Sequence, residues 1–230
     1  MPSLPLKQLG AEAIGTFCLV FAGTGAIIIN DISGGVISHV GIALTFGLVV
    51  LAMIYAIGDI SGAHINPAVT IAFFAARRLP ARFVLPYIAS QSLGALLASG
   101  LLRLLFSTQA NLGTTIPADS IWQSFVLEFI LTFILMFVIL GVSTGAKEKG
   151  LTAGIAVGAV IALEALFAGP ISGASMNPAR SLGPAIVSLQ FSSLWIYLAA
   201  PVLGAIAAVS ACRCVRETGC CTSAEAQGTQ

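Results

Sequence analysis

Charge is what this sequence most lacks. Only 8% of its 230 residues are Asp, Glu, Lys or Arg, and the formal net charge is +1. A soluble domain carries roughly a quarter charged residues, so a fully hydrated surface is excluded. The missing basic excess removes nucleic acid as a partner, because nothing is there to neutralise phosphates. Histidine is scarce as well, with two in the chain. No second histidine or carboxylate accompanies His64 at ligand spacing, so no metal site is expected. Neither an activated nucleophile nor a nucleotide-binding motif is found, and no enzyme activity or cofactor is expected.

What is there is apolar. Hydrophobic residues make up 57% of the chain, and the mean hydropathy is +1.01. Uncharged or nearly uncharged runs of about 18 residues or more are the mark of a membrane-crossing helix. Six occur, at 10–30, 36–57, 83–106, 120–142, 151–168 and 193–212. Glu128 interrupts the fourth and Glu164 lies near the end of the fifth. The alternating pattern of a membrane barrel is absent, so the expected fold is an all-α membrane protein. Lys7 precedes an apolar stretch as in a secretory signal, but Glu12 and the length of that stretch argue against cleavage.

The basic residues test the topology. Lys7, Arg77, Arg78, Arg82, Lys147, Lys149, Arg213 and Arg216 all fall on one side of a six-span chain, which the positive-inside rule makes cytoplasmic. Both termini are then expected in the cytoplasm, with Arg103 outside. Cys18 falls in the first span, whereas Cys212, Cys214, Cys220 and Cys221 gather at the expected cytoplasmic end, where thiols stay reduced. An unstructured reduced tail, palmitoylation and soft-metal binding are the readings open for that cluster.

Between the second and third runs stands SGAHINPAVT (61–70), and between the fifth and sixth stands SGASMNPARS (172–181), identical at six of ten positions. Glu12 and Glu128 extend the repeat, each a lone carboxylate in an apolar run. Each half then holds three spans with a decapeptide between its second and third. Three crossings leave the second half starting from the opposite face, so the repeats, 1–110 and 111–212, are inverted. Residues 213–230 form a tail, and the turn-rich STQANLGTTIPADS (107–120) joins the halves.

Asn is a good helix N-cap and Pro is favoured at the first helical position. Short helices are therefore expected to begin at Pro67 and Pro178, after Asn66 and Asn177. About 9 residues at ~1.5 Å each reach roughly halfway through the hydrocarbon core. Inversion brings the two N-termini together at the midplane, where Asn66, Pro67, Ala68 and Asn177, Pro178, Ala179 meet. The backbone before each helix, Gly62, Ala63, His64 and Gly173, Ala174, Ser175, is tolerated at that depth only inside protein or along water, and its carbonyls are expected to line a water path. Two positive helix ends beside amide donors suit a neutral hydrogen-bonding solute and repel cations.

With Glu12, SGAHINPAVT, Glu128 and SGASMNPARSLGPA in place, the chain resembles the aquaporin, or major intrinsic protein, family over about residues 7–212, and FAGPISGASMNPARSLGPA is most similar to its nodulin-26-like branch. The resemblance implies six membrane helices plus two re-entrant half-helices in inverted three-helix repeats, one pore per protomer and a homotetramer. It implies passive passage of water, with glycerol, ammonia or metalloid hydroxides as further solutes. It also implies an outer filter at Phe46, Ala165, Ala174 and Arg180, and loop-supporting roles for Glu12 and Glu128. Alanine at 165 departs from strict water channels, which usually have histidine there, and Ser181 departs from glycerol facilitators, which usually have aspartate. A facilitator with little water flux, and an ion-coupled secondary transporter, stay as alternatives. Glu164 either tunes the pore or meets outer water, and His39 is read as a surface residue. Gly15, Gly94, Gly141 and Gly204 are expected at close helix contacts.

Overall fold

The computed structural model describes residues 6–143 and 152–215. Lys147, Lys149, Arg216, Cys220 and Cys221, used above for topology and the tail, lie outside the described residues. The six apolar runs are helices: α1 (Leu6–Ile32), α2 (Ser38–Ser61), α4 (Ala81–Leu105), α5 (Ile121–Val142), α6 (Ala153–Ser172) and α8 (Leu194–Val215). All six have the length and hydropathy to cross a bilayer. Between them lie two short helices, α3 (Pro67–Ala75) and α7 (Pro178–Ser188). At 11 residues α7 is two longer than α3, with Gly183 and Pro184 inside it.

The packing partners come in matched pairs. Helix α1 packs on α2 and α4, and α5 packs on α6 and α8; α3 packs on α8 and α4, and α7 on α4 and α8; α2 meets α6, and α3 meets α7. Exchanging the two halves maps this list onto itself, the arrangement that two inverted three-helix repeats produce. Each short helix leans on the last span of the other half as well as its own.

Small residues set the closest approaches. Cβ atoms at Gly94 and Gly204 would strike the backbone carbonyls of Ala13 and Phe129, so the α1–α4 and α5–α8 crossings each depend on a missing side chain. At the α2–α6 contact, a Cβ at Gly47 would lie 2.5 Å from the Gly158 carbonyl, and one at Gly158 would lie 2.6 Å from that of Gly47.

The termini-side end of the bundle carries Lys7, Arg77, Arg78, Arg82 and Arg213. Arg78 Nη1 donates to Ser143 Oγ at 2.7 Å and Arg213 Nη2 to the Ala75 carbonyl at 3.0 Å, so two of these cations also tie helix ends together. The expected reduced state does not hold at Cys212, which is buried and disulfide-bonded; Cys214 is a free, exposed thiol.

Candidate functional site

The half-helices start as their sequence dictates. Asn66 and Asn177 are extended (φ −158° and −146°) and cap the helices that Pro67 and Pro178 open. Asn66 Oδ1 accepts from the Ala68 N–H at 2.9 Å; Asn177 Oδ1 accepts from Ala179 at 3.0 Å and Arg180 at 3.3 Å. Each cap satisfies helix-end donors that would otherwise be orphaned within the bundle.

The other end of each amide crosses to the opposite half. Asn66 Nδ2 donates to the Met176 carbonyl at 2.8 Å, and Asn177 Nδ2 donates to the Ile65 carbonyl at 2.8 Å. An amide nitrogen has two hydrogens. One is used in the cross-link, and the second is available to whatever occupies the space between the helices.

The approach to each cap is irregular, and two glutamates hold it. Glu12 accepts from Ser61 Oγ (2.7 Å), the His64 N–H (2.9 Å), the Ile65 N–H (2.7 Å) and Gln91 Nε2 (2.7 Å). Glu128 accepts from Ser172 Oγ (2.8 Å), the Ser175 N–H (2.8 Å) and the Met176 N–H (2.8 Å). Burying a carboxylate is costly unless donors replace its water, and these donors do. The exchange also fixes the chain direction: with two consecutive amides turned to the carboxylate, Gly62 and Gly173 sit in the left-handed region at φ 85° and 82°. Ala63, Ile65, Ala174 and Met176 follow at φ 40–54°, a conformation that costs energy for residues with a Cβ. Tyr87 and Tyr197 complete the brace, their hydroxyls donating to the Ser61 and Ser172 carbonyls at 3.0 and 2.7 Å.

A cavity of about 120 Å³ runs past both asparagines. At one end its wall holds Phe46 and Arg180; at the other it holds Ser143 and Ala153. Between them it is bordered by Gly62, Ala63, His64, Asn66, Ala174, Ser175 and Asn177, with an apolar side from α2, α5 and α6. Gly173 is not on this wall. Ala165 is also off it: at 7% exposure it packs in the core cluster with Ala168 and Ala174, and α6 presents Val157 and Ile161 to the cavity instead.

Arg180 is buried, with its Cζ 5.1 Å from the centroid of the Phe46 ring and its Nη1 donating to the Gly113 carbonyl at 2.8 Å. Its Nε has no protein partner among the described residues. Gly113 belongs to the linker between the halves, as does Thr115, whose hydroxyl donates to Ser181 at 2.8 Å. The sequence offered the linker only as a connector. Its role in holding the arginine had no signal there, whereas Tyr87 and Tyr197 are spaced like the rest of the repeat and could have been found by it.

One expectation changes and another gains detail. Glu164 does not meet outer water: it is fully buried, absent from the cavity wall, and neither carboxyl oxygen has a partner among the described residues. His64 borders the cavity as expected, but it is also stacked on Phe73 at 4.6 Å and bonded through Nδ1 to Thr70 Oγ1 at 3.1 Å. Since the Thr70 hydroxyl donates to the Asn66 carbonyl at 3.0 Å, its oxygen is left to accept, and the imidazole proton is assigned to Nδ1.

The chain matches the Major intrinsic protein family over residues 2–211. It is 53% identical to Aquaporin NIP1-1 of Oryza sativa subsp. japonica, an overlap covering 93% of this chain and 75% of that protein. It is 49% identical to Nodulin-26 of Glycine max, covering 93% and 79%. Its fold superposes on the X-ray structure of the aquaglyceroporin from Plasmodium falciparum with a TM-score of 0.78 at 26% identity, covering 89% and 94%. A chain whose inverted halves each end a re-entrant loop in Asn-Pro-Ala, and which matches along nearly its whole length, belongs to the major intrinsic protein family.

Proposed function

We propose that this protein is a passive channel for water and small neutral solutes, and that selection occurs at the end of the cavity bearing Arg180. The observation that carries this reading is the pair of amides from Asn66 and Asn177, each with one uncommitted N–H, between two helix N-termini in one continuous cavity. A water or hydroxyl oxygen passing there accepts from both amides. A cation meets the positive ends of two helix dipoles and a buried guanidinium, with too little hydration to compensate. The carbonyls of Gly62, Ala63 and His64, and of Ala174 and Ser175, serve as successive acceptors before and after the midplane, with Gly173 set back from the wall.

In this reading Phe46, Ala174 and Arg180 form the lining of the filter, and Ala165 backs it from the core cluster it shares with Ala174. Phe46 and Arg180 set its width and donors directly; small side chains on the wall at 174 and behind it at 165 leave it open enough for glycerol. That favours a mixed water and solute channel over one for water alone. The halves 1–110 and 111–212 act as the two inverted units. The termini lie in the cytoplasm, consistent with the cluster of Lys7, Arg77, Arg78, Arg82 and Arg213, and the working assembly is a homotetramer. Passage involves no reaction, so no catalytic residue is assigned.

Stopped-flow light scattering of reconstituted vesicles tests this. Water and glycerol permeabilities above those of protein-free liposomes are expected, with urea and ammonia run beside them. If every solute matches the protein-free baseline in vesicles where insertion is verified, the channel reading is wrong. Saturable uptake driven by an ion gradient would favour a coupled transporter instead.

A further inference from the structure

Near the outer end of α6 the helix contains a proline. Pro170 has no N–H, so the Leu166 carbonyl four residues earlier loses its regular helical donor. The surface around that carbonyl is apolar: Val40, Leu163, Leu166 and Phe167 are all exposed. An unpaired carbonyl on a lipid-facing surface has no water to turn to. The donor it finds is His39, in the first turn of α2, whose Nε2 lies 2.8 Å away. Because a carbonyl only accepts, the imidazole carries a proton on Nε2.

The fit is cut for this ring. A Cβ at Gly169 would stand 2.8 Å from His39 Cε1, so glycine leaves the space that the imidazole enters. Three residues from two helices therefore meet at one bond: proline frees the acceptor, glycine makes room, and histidine donates. The inverted repeat offers no counterpart, since the position matching Pro170 in α2 is Asp59.

The two helices joined here are the ones that carry Phe46 and Ala165. Phe46 lies seven residues after His39 on α2, two helical turns or ~10 Å along the axis, and Ala165 immediately precedes Leu166. We infer that His39 is a positioning residue of the outer filter: its imidazole replaces the hydrogen bond that Pro170 withholds from Leu166 and so fixes the outer end of α6 against α2. This rests on the filter assignment made above.

A mutant cycle in reconstituted vesicles tests it. In His39→Ala the glycerol-to-water permeability ratio should rise by about fivefold, on the order of one hydrogen bond, while water still passes. His39→Gln keeps an N–H donor and should restore most of the ratio. Pro170→Ala returns a backbone N–H to α6 but no link to α2, so the double variant His39→Ala/Pro170→Ala should regain the stability lost in His39→Ala while its permeability ratio stays altered. If the ratio in His39→Ala is unchanged, or if the double variant recovers the wild-type ratio without the link, the inference is overturned. Thermal unfolding of the same proteins in detergent reports the His39–Pro170 coupling without permeation. A wild type that conducts nothing therefore defeats the channel reading, whereas additive stability losses defeat the positioning bond. Coupling in stability with an unaltered ratio also overturns the filter role.

Discussion

Asn66 and Asn177 are cross-linked through each other's approach loops: each side chain caps its own half-helix with Oδ1 and donates from Nδ2, at 2.8 Å, to the carbonyl just before the other asparagine. Neither cap is therefore local. A change at one asparagine is felt by the loop of the opposite half.

Asn177→Asp separates the two duties. The carboxylate still accepts from the Ala179 and Arg180 N–H groups, but it faces the Ile65 carbonyl as a second acceptor. The cost of an unsatisfied buried pair is about 1–3 kcal/mol, which should lower the unfolding temperature in detergent and bring water permeability close to the protein-free level. Asn177→Ala removes the cap as well and should lose about 1 kcal/mol more. Equal unfolding temperatures for Asn177→Asp and the wild type would show the cross-link to be idle.

Glu12→Gln and Glu128→Gln should both destabilise, and unequally. Each puts an amide NH2 where backbone donors already point. Glu12 accepts from four groups and Glu128 from three. Gln91 supplies the extra one, and the repeat places Pro201 opposite it. A loss of about 2–4 kcal/mol is expected from several charge-assisted bonds, larger for Glu12. Thermal unfolding in detergent, compared between the two variants, checks the order.

Replacing Arg180 with the residue its repeat partner carries, Arg180→Val, removes both the bond to Gly113 and the contact with Phe46. Glycerol flux should rise on the order of tenfold, the effect of about 1.4 kcal/mol on a barrier, and cation conductance should emerge in planar bilayers. Unchanged glycerol flux with no conductance would remove the arginine from the filter.

Gly23→Ala probes the filter from behind. The added methyl would collide with the Phe46 ring, although Gly23 itself is not on the cavity wall. The ring must move toward Arg180 or away from it, so the glycerol-to-water ratio should change while the asparagine cross-links stay intact. A ratio identical to the wild type would mean that Phe46 does not set the width.

Much of this was legible in the chain because the governing chemistry is local. Asn before Pro caps and starts a helix wherever it stands, and hydrophobic length defines a span, so all six spans and both half-helices fall where they are expected. The inversion followed from an odd count of crossings. Less legible were features that depend on which side of a helix faces the cavity. The family resemblance names Ala165, while α6 turns Val157 and Ile161 to the cavity, and nothing in the sequence sets how far a helix is rotated about its axis. Contacts outside the repeat were invisible: nothing near Gly113 or Thr115 marks them as partners of Arg180 and Ser181, and nothing near His39 points to Leu166.

The exchange of α3 and α7 between the halves bears on how the chain is made. Each short helix leans on both α4 and α8, and α8 is made after the other described helices. When the first three spans are already in the bilayer, α3 still lacks one wall, and the Met176 carbonyl that Asn66 will reach has not been synthesised. The polar loop 62–66 must wait, held only by first-half groups such as Glu12, Thr70 and Phe73, until the second half arrives. Biogenesis therefore has a vulnerable interval, and its length is set by translation of the stretch from the end of α4 to the end of α8.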